Sequence, residues 1–351
     1  MGGPLSVRLA ALAAAALALS CPRGGATREA PPLFSLEDPR GDDHGDGQIA
    51  YPVRDDLQDG DLDLLRVEAR AGREGTDFEL TFAHAVRRPD ARAVDISGTA
   101  LTDVAKLGFY TFNVDLYVDT DRVEGSGRRA MLPGRLAEVT ADGAWEKVIC
   151  LTPRPADARE ELRRLWLGEK VRERRSAGGQ LDPSTEGFLQ REVEREIQGA
   201  VFFPTRVHVS GPSLTFTVPR SFFGGVASPE WGYVIAVTAA DIATKVHLKS
   251  LLGLEQAQGG LMIVPLGSIA NAEHLGGGRA VDPWEPPILD LIVPPGRRQE
   301  EVLTGPTRKI GERVQVPPVI PAGQPPPPPP PPPPEAADAG SPGGGVDAGA
   351  P

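Results

Sequence analysis

Apolar and polar residues alternate in several short runs of this chain, and the alternation predicts half-buried β-strands. The clearest runs are residues 78–82, 214–218 and 233–237. Glycine, proline and aspartate separate the runs, as they do in turns between strands. Several short strands of this kind predict a mostly β chain that folds as an antiparallel β-sandwich.

The longest alternating run, residues 110–119, places aromatic and aliphatic residues on one face of its strand. Asp115, Tyr117 and Asp119 point to the other face, because successive side chains in a strand alternate in direction. This pattern predicts a strand with one apolar and one polar face.

Residues 157–198 break the strand pattern. Leu162, Leu165 and Trp166 keep helical spacing, and Ser184-Thr185 followed by Glu186 is a plausible helix start. We expect a short helical insertion of two helices packed at the edge of the sandwich. A structural insertion is favoured over a functional lid.

The first twenty residues are typical of an export signal, because Arg8 precedes an apolar run too short to span a bilayer. Cys21 follows Ser20 directly, so lipidation at Cys21 and plain secretion are both open, with lipidation slightly favoured. Residues 21–32 form a spacer, and residues 33–320 carry the regular patterns. Residues 321–351 are predicted to be a disordered polyproline and Gly/Ala/Asp tail.

The segment FSLEDPRGDDHGDGQIAYP, residues 34–52, concentrates acidic residues among glycines. Its four aspartates repel one another unless a cation or backbone N–H groups hold them. Oxygen ligands on a flexible loop suit Ca²⁺. Ile49 stands where an EF-hand loop needs a bidentate glutamate, so this is not an EF-hand. A calcium loop and a solvated acidic loop are about equally consistent with composition. The four candidate ligands are Asp38, Asp42, Asp43 and Asp46.

A second acidic group, Asp115, Asp119 and Asp121, surrounds the run VDLYVDTD. Asp115 and Asp119 leave the same strand face, whereas Asp121 begins a turn. These three carboxylates could bind a cation, although they need not share one ion.

The sequence carries no hydrolase signature: it has no nucleophile elbow, no zinc-protease helix and no phosphate loop. The net charge of −11 argues against nucleic acid and anionic membrane surfaces as partners. Cys150 follows two apolar residues and is expected to be buried.

Tryptophans are the candidates for stacking on sugar rings. Trp145 follows a turn, Trp231 opens a strand, and Trp284 sits in the loop VDPWEPP, where it is expected to be exposed. For each of them, a role in plugging the core is the strong alternative. Trp166 fits the apolar face of a helix better.

The opening run DPRGDDHGDGQIAYP resembles the signature of the glucodextranase C-terminal family, whose members are DOMON-like β-sandwich modules. Later runs follow in the family's order, and the resemblance spans about residues 33–319. They include VDLYVDTD, WGYVIAVTAAD and GGGRAVDPWEPPILDLIVP.

The resemblance implies a calcium-binding Asp38 loop with Asp63 as a remote ligand. It also implies an exported, noncatalytic module, not an enzyme, that binds carbohydrate of the α-glucan type. A lipid at Cys21 would be its link to a membrane. The alternative is a structural or protein-interaction lipoprotein of the cell envelope. A haem role, known for other DOMON-like domains, is disfavoured because no His/Met pairing is evident.

Overall fold

The computed structural model of the chain describes residues 31–90, 100–240, 262–279 and 282–323. The predicted export signal, Cys21, most of the spacer and nearly all of the tail lie outside the described residues. The described helices are α1 (Leu101–Val104), α2 (Pro155–Ser176), α3 (Pro183–Ala200), α4 (Arg220–Phe223) and α5 (Gln299–Thr304), with a 3₁₀ turn at Ala141–Gly143. None of these helices combines the length and the apolar character needed to cross a membrane.

Twelve strands are described, and ten of them form two five-stranded sheets. The first sheet has the order β1-β2-β3-β9-β8 and is antiparallel throughout. Its strands are β1 (Phe34–Glu37), β2 (Leu64–Ala71), β3 (Gly75–Phe82), β8 (Val207–Ser210) and β9 (Ser213–Pro219).

The second sheet has the order β11-β10-β4-β6-β7 and is antiparallel except for the β6–β7 pair. Its strands are β4 (Phe112–Asp119), β6 (Lys147–Leu151), β7 (Val201–Phe202), β10 (Gly232–Ala239) and β11 (Asp290–Ile292). The remaining strands, β5 (Ala137–Val139) and β12 (Val314–Val316), form a small parallel pair.

The inner faces of the two sheets share one apolar core. Aromatic pairs join the sheets across it, with ring centroids 4.7 Å apart for Phe82 and Phe112 and also 4.7 Å apart for Phe34 and Tyr233. These residues come from the alternating runs, since every second side chain of such a strand points inward. The predicted mostly β, sandwich-like architecture is confirmed.

The second sheet is buried on both faces, which the alternation did not predict. Every residue of β4 and β10 is buried. The outer face of this sheet packs on the α2–α3 hairpin, where Leu162, Trp166 and Val193 complete a second core cluster. The predicted polar face of β4 is therefore wrong as a solvent face, because Asp115 and Tyr117 are buried against Arg135 and the backbone of Leu132.

The helical insertion is confirmed, with its start shifted. Helix α3 begins one residue before the predicted Ser184, and its N-cap is Asp182, whose carboxylate accepts a hydrogen bond from the Thr185 N–H at 2.8 Å. Aspartate is a strong N-cap, and Pro183 at the first helical position is preorganised for a helix. Cys150 is buried, as expected.

Candidate functional site

The acidic loop, residues 38–47, joins β1 to the segment before β2 and packs against the end of β11. The Gly45 N–H donates to the Leu289 carbonyl at 2.8 Å. Gly45 has φ +61°, and an added Cβ would lie 2.6 Å from the Ile288 carbonyl oxygen, so only glycine permits this close approach. The buried Gln299 side chain donates to the carbonyls of Asp42, Gly45 and Leu289.

This packing brings together Asp38, Asp42 and Asp290, which we call the β11 carboxylate cluster. One carboxylate oxygen from each residue lies within 4.8 Å of the others. Asp290 is fully buried, and its Oδ2 and Oδ1 accept hydrogen bonds from Leu64 N–H at 2.5 Å and from Leu291 N–H at 2.7 Å. Three negative charges at this distance repel one another strongly in a partly desolvated site.

Burial and repulsion change the protonation of the cluster. Burial, with the charge of Asp42, raises the pKa of Asp38 to about 8. Burial likewise raises the pKa of Asp42 to about 6, and burial with the Asp38 charge raises the pKa of Asp290 well above its ordinary value. A divalent cation would reverse these shifts, because it stabilises the ionised form of each ligand.

Carboxylate oxygens that lack a hydrogen-bond partner provide a test of whether the β11 carboxylate cluster fits a cation. Asp38 Oδ2, Asp42 Oδ1 and the neighbouring Asp63 Oδ1 are buried and make no hydrogen bond within the described residues. Buried polar atoms without partners are uncommon and call for an explanation such as an unseen ion or water. Several carboxylate oxygens in one site match the preference of Ca²⁺. The residues present therefore fit a calcium ion.

The other predicted loop ligands have partners within the protein. Asp43 is buried and accepts hydrogen bonds from the Tyr51 hydroxyl and from the Gly60 N–H. Asp46 accepts a hydrogen bond from the Gln48 backbone N–H, and its carboxylate lies 3.5 Å from the Arg279 guanidinium. Asp63 Oδ2 accepts a hydrogen bond from the Gly41 backbone N–H, and Asp63 Oδ1 is left without a partner beside the β11 carboxylate cluster.

A second carboxylate cluster consists of Asp119, Asp121 and Glu146, and we call it the β4 turn cluster. Its oxygens accept hydrogen bonds from the backbone N–H groups of Thr120, Arg122 and Val123. The Arg122 guanidinium lies 2.9 Å from Asp119 Oδ2. These donors supply the compensation that a cation would otherwise provide.

The remaining predicted ligand, Asp115, belongs to neither cluster. Arg135 donates to it from two guanidinium nitrogens, at 2.5 and 3.0 Å, and both side chains are fully buried. A bidentate ion pair of this kind holds the carboxylate without a metal. The structure thus replaces the predicted grouping of Asp115 with Asp119 by a structural ion pair.

The three candidate tryptophans differ in exposure. Trp145 is 1% exposed, and its indole N–H donates to the Ala130 carbonyl, so its predicted role as a sugar platform is wrong. Trp231 is half-buried against the Phe223 ring, with centroids 5.3 Å apart, and contributes to the core. Trp284 is half-buried and lines an open cleft of about 720 Å³.

Sequence reasoning missed Asp290 as a member of the acidic site. Asp290 lies 226 residues after Leu64, whose backbone it binds, so no local spacing links them. The available signal was a lone carboxylate inside the apolar run ILDLIV, a position that is costly to bury unless the charge is compensated.

The described residues form a β-sandwich with a buried carboxylate cluster and an open cleft that Trp284 lines. The chain belongs to the family described as the C-terminal binding-module, SLH-like, of glucodextranase, which it matches over residues 33–313. That family is a binding module and not a catalytic domain. A comparison with curated proteins gives no significant match.

Proposed function

We propose that this protein is an exported, noncatalytic carbohydrate-binding module of the α-glucan type that is stabilised by calcium. The family match supports the binding class, and the half-buried Trp284 beside the cleft is the observation that carries carbohydrate as the ligand. Tryptophan offers a large apolar ring face together with an N–H donor, and this combination suits a sugar ring and its hydroxyls.

Calcium would be held by Asp38, Asp42 and Asp290, with the free oxygen of Asp63 beside them. The ion would supply positive charge and fix the acidic loop between β1 and β11. The chain's own contribution is the fixed backbone around the cluster: Gln299 holds three carbonyls of the loop and of β11 in place. A cation that binds only the folded state stabilises that state by mass action.

Export rests on the apolar amino-terminal segment, and attachment to an envelope rests on Cys21; both remain proposals from the sequence. The expected partner is a polysaccharide, and no nucleic acid partner is expected. Lipidation of Cys21 can be checked by labelling with a palmitate analogue, with Cys21→Ser as the control that must lose the label.

A second candidate function is a structural or protein-interaction role at the cell envelope. The outer face of the first sheet favours it, because side chains such as Glu68, Glu79, Thr215 and Thr217 point away from the shared core and make that face polar. A polar sheet face of this kind can serve a protein partner without any sugar.

Affinity electrophoresis in gels that contain starch, pullulan or dextran tests the leading proposal. We expect retardation by at least one α-glucan, with no release of reducing sugar during prolonged incubation. Turnover of any of these glucans contradicts the noncatalytic role. If a broad glycan panel shows neither binding nor turnover, the envelope-interaction function takes its place.

A further inference from the structure

The cleft beside Trp284 is a built feature of the fold. Its walls come from the end of β5, the loop that carries Trp284, the last turn of α5 and the segment that leads into β12. Its volume of about 720 Å³ lies within the range of pockets that hold small ligands, about 300–1,000 Å³.

A buried ion pair joins the loop that carries Trp284 to the segment that follows α5, and both segments contribute residues to the cleft. Arg308 Nη1 lies 2.5 Å from Asp282 Oδ2, and both side chains are more than nine-tenths buried. Asp282 Oδ1 in turn accepts a hydrogen bond from the backbone N–H of Trp284 at 3.1 Å. Burial alone would raise the pKa of Asp282, but these two donors outweigh it and hold the pKa below its ordinary value. Trp284 is therefore positioned before any ligand arrives.

Two polar atoms at the cleft have no partner within the described residues: the Thr140 hydroxyl oxygen and Arg308 Nε. Thr140 is the N-cap of the 3₁₀ turn, yet its side chain makes no capping hydrogen bond. Threonine at an N-cap commonly uses its oxygen for that purpose. A buried polar group without a partner is destabilising, so a bound water that bridges to a ligand in the cleft would satisfy these buried atoms.

The charges around the cleft balance. Three guanidinium groups and three carboxylates line it: Arg297, Arg308, Arg313, Glu138, Glu301 and Glu312. Guanidinium groups only donate and carboxylates only accept. A ligand that satisfies both must donate and accept without bringing a net charge, which describes a polyhydroxylated neutral molecule.

The aromatic wall completes this chemistry. The Arg313 guanidinium lies 4.9 Å from the centre of the Trp284 ring, close enough for a cation–π contact that steadies the indole. An apolar ring beside balanced polar groups suits a ligand with both C–H faces and hydroxyls.

We propose that this cleft is the binding site for a short stretch of neutral oligosaccharide, with Trp284 stacking on a sugar ring and with Thr140 and Arg308 linked to its hydroxyls through bound water. The inference rests on the proposed carbohydrate-binding function and assigns it to one site. It assigns the sugar to this cleft and not to the outer face of the first sheet.

Isothermal titration of maltoheptaose into the full chain tests this assignment. Trp284→Ala should lower the association constant about tenfold, and Thr140→Val should lower it about fivefold. Phe188→Ala, an exposed aromatic on α3, and Thr215→Val, on the first sheet, are matched controls that should bind as the wild type does. Circular dichroism must show that all four variants remain folded.

The outcomes separate the two proposals. If the wild type binds maltoheptaose and neither cleft variant weakens it, the cleft assignment is overturned while carbohydrate binding stands. If maltoheptaose fails to bind and a uronic acid oligomer binds with dependence on Trp284, the neutral ligand class is overturned. If neither the maltoheptaose nor a broad glycan panel binds, the carbohydrate function itself is contradicted.

Discussion

The two carboxylate clusters contain the same number of acidic groups at similar separations, but their surroundings differ. In the β4 turn cluster, backbone N–H groups and Arg122 meet the oxygens. In the β11 carboxylate cluster, buried oxygens of Asp38 and Asp42 are left without partners. The number of nearby carboxylates therefore does not identify a metal site. A metal site is indicated where neighbouring donors leave the carboxylate charges uncompensated.

Asp115 extends the comparison, because its charge is compensated by a side chain of the protein itself. Replacing Arg135 with methionine should give the largest effect, a loss of about 3–5 kcal/mol in the free energy of unfolding, since Asp115 would remain buried and unpaired. Chemical denaturation with and without calcium measures this loss, which should be the same in both conditions. Arg129→Met removes a partly exposed ion pair, in which Arg129 lies 3.6 Å from Glu138, and as the control it should cost less than about 1 kcal/mol.

The second-largest effect on stability is expected for a substitution in the β11 carboxylate cluster. Asp290→Asn should abolish the stabilisation by calcium, which amounts to about 2.7 kcal/mol when free calcium is 100 times the dissociation constant. Thermal melts in chelator and in calcium measure it. Without calcium, the variant should be less stable than the wild type, because the asparagine NH2 group cannot accept one of the two backbone hydrogen bonds that the Asp290 oxygens accept, so each variant is compared with its own melt in chelator. A calcium response that survives the substitution would remove Asp290 from the site.

Protonation should substitute in part for the cation. The folded protein raises the pKa of Asp38 to about 8 and of Asp42 to about 6, from an ordinary value of 3.8. The calcium-free folded state therefore binds more protons than the unfolded state between these values, and its stability should fall as pH rises from about 4 to about 8. Denaturant midpoints measured in chelator at several pH values check this slope, and saturating calcium should flatten it.

The smallest effect is expected at the β4 turn cluster. Asp121 is exposed, and asparagine can still accept from the Val123 N–H and the Ser126 hydroxyl. Asp121→Asn should change the free energy of unfolding by no more than about 0.5 kcal/mol and should leave the calcium response intact. A lost calcium response in this variant would mean that the compensated cluster, and not the buried one, holds the ion.

Local patterns in the sequence were enough to predict the sandwich and its helical insertion, since both follow from periodicity of two or of about three and a half residues. The burial of β4 on both faces was not predictable, because Asp115 and Tyr117 look like solvent-facing residues until Arg135 and the backbone of Leu132 cover them. Trp145 was misjudged for a similar reason: a residue after a turn can still be covered by distant segments.

The loop part of the acidic site could be predicted from the sequence, but the contribution of β11 could not. The glycines and aspartates of residues 38–46 marked the loop, but the charge that completes the cluster comes from β11. The pairing of these segments is a long-range property of the fold. It depends on Gln299 and Gly45 holding the loop against the strand, and neither residue signals an ion site by its type.

The calcium site is tested most directly by titrating calcium into chelator-stripped protein in an isothermal calorimeter. We expect one tightly bound ion per chain, lost in Asp290→Asn and retained in Asp121→Asn. Absence of binding, or binding that is lost in Asp121→Asn and kept in Asp290→Asn, would contradict the claim that the unsatisfied buried cluster is the calcium site.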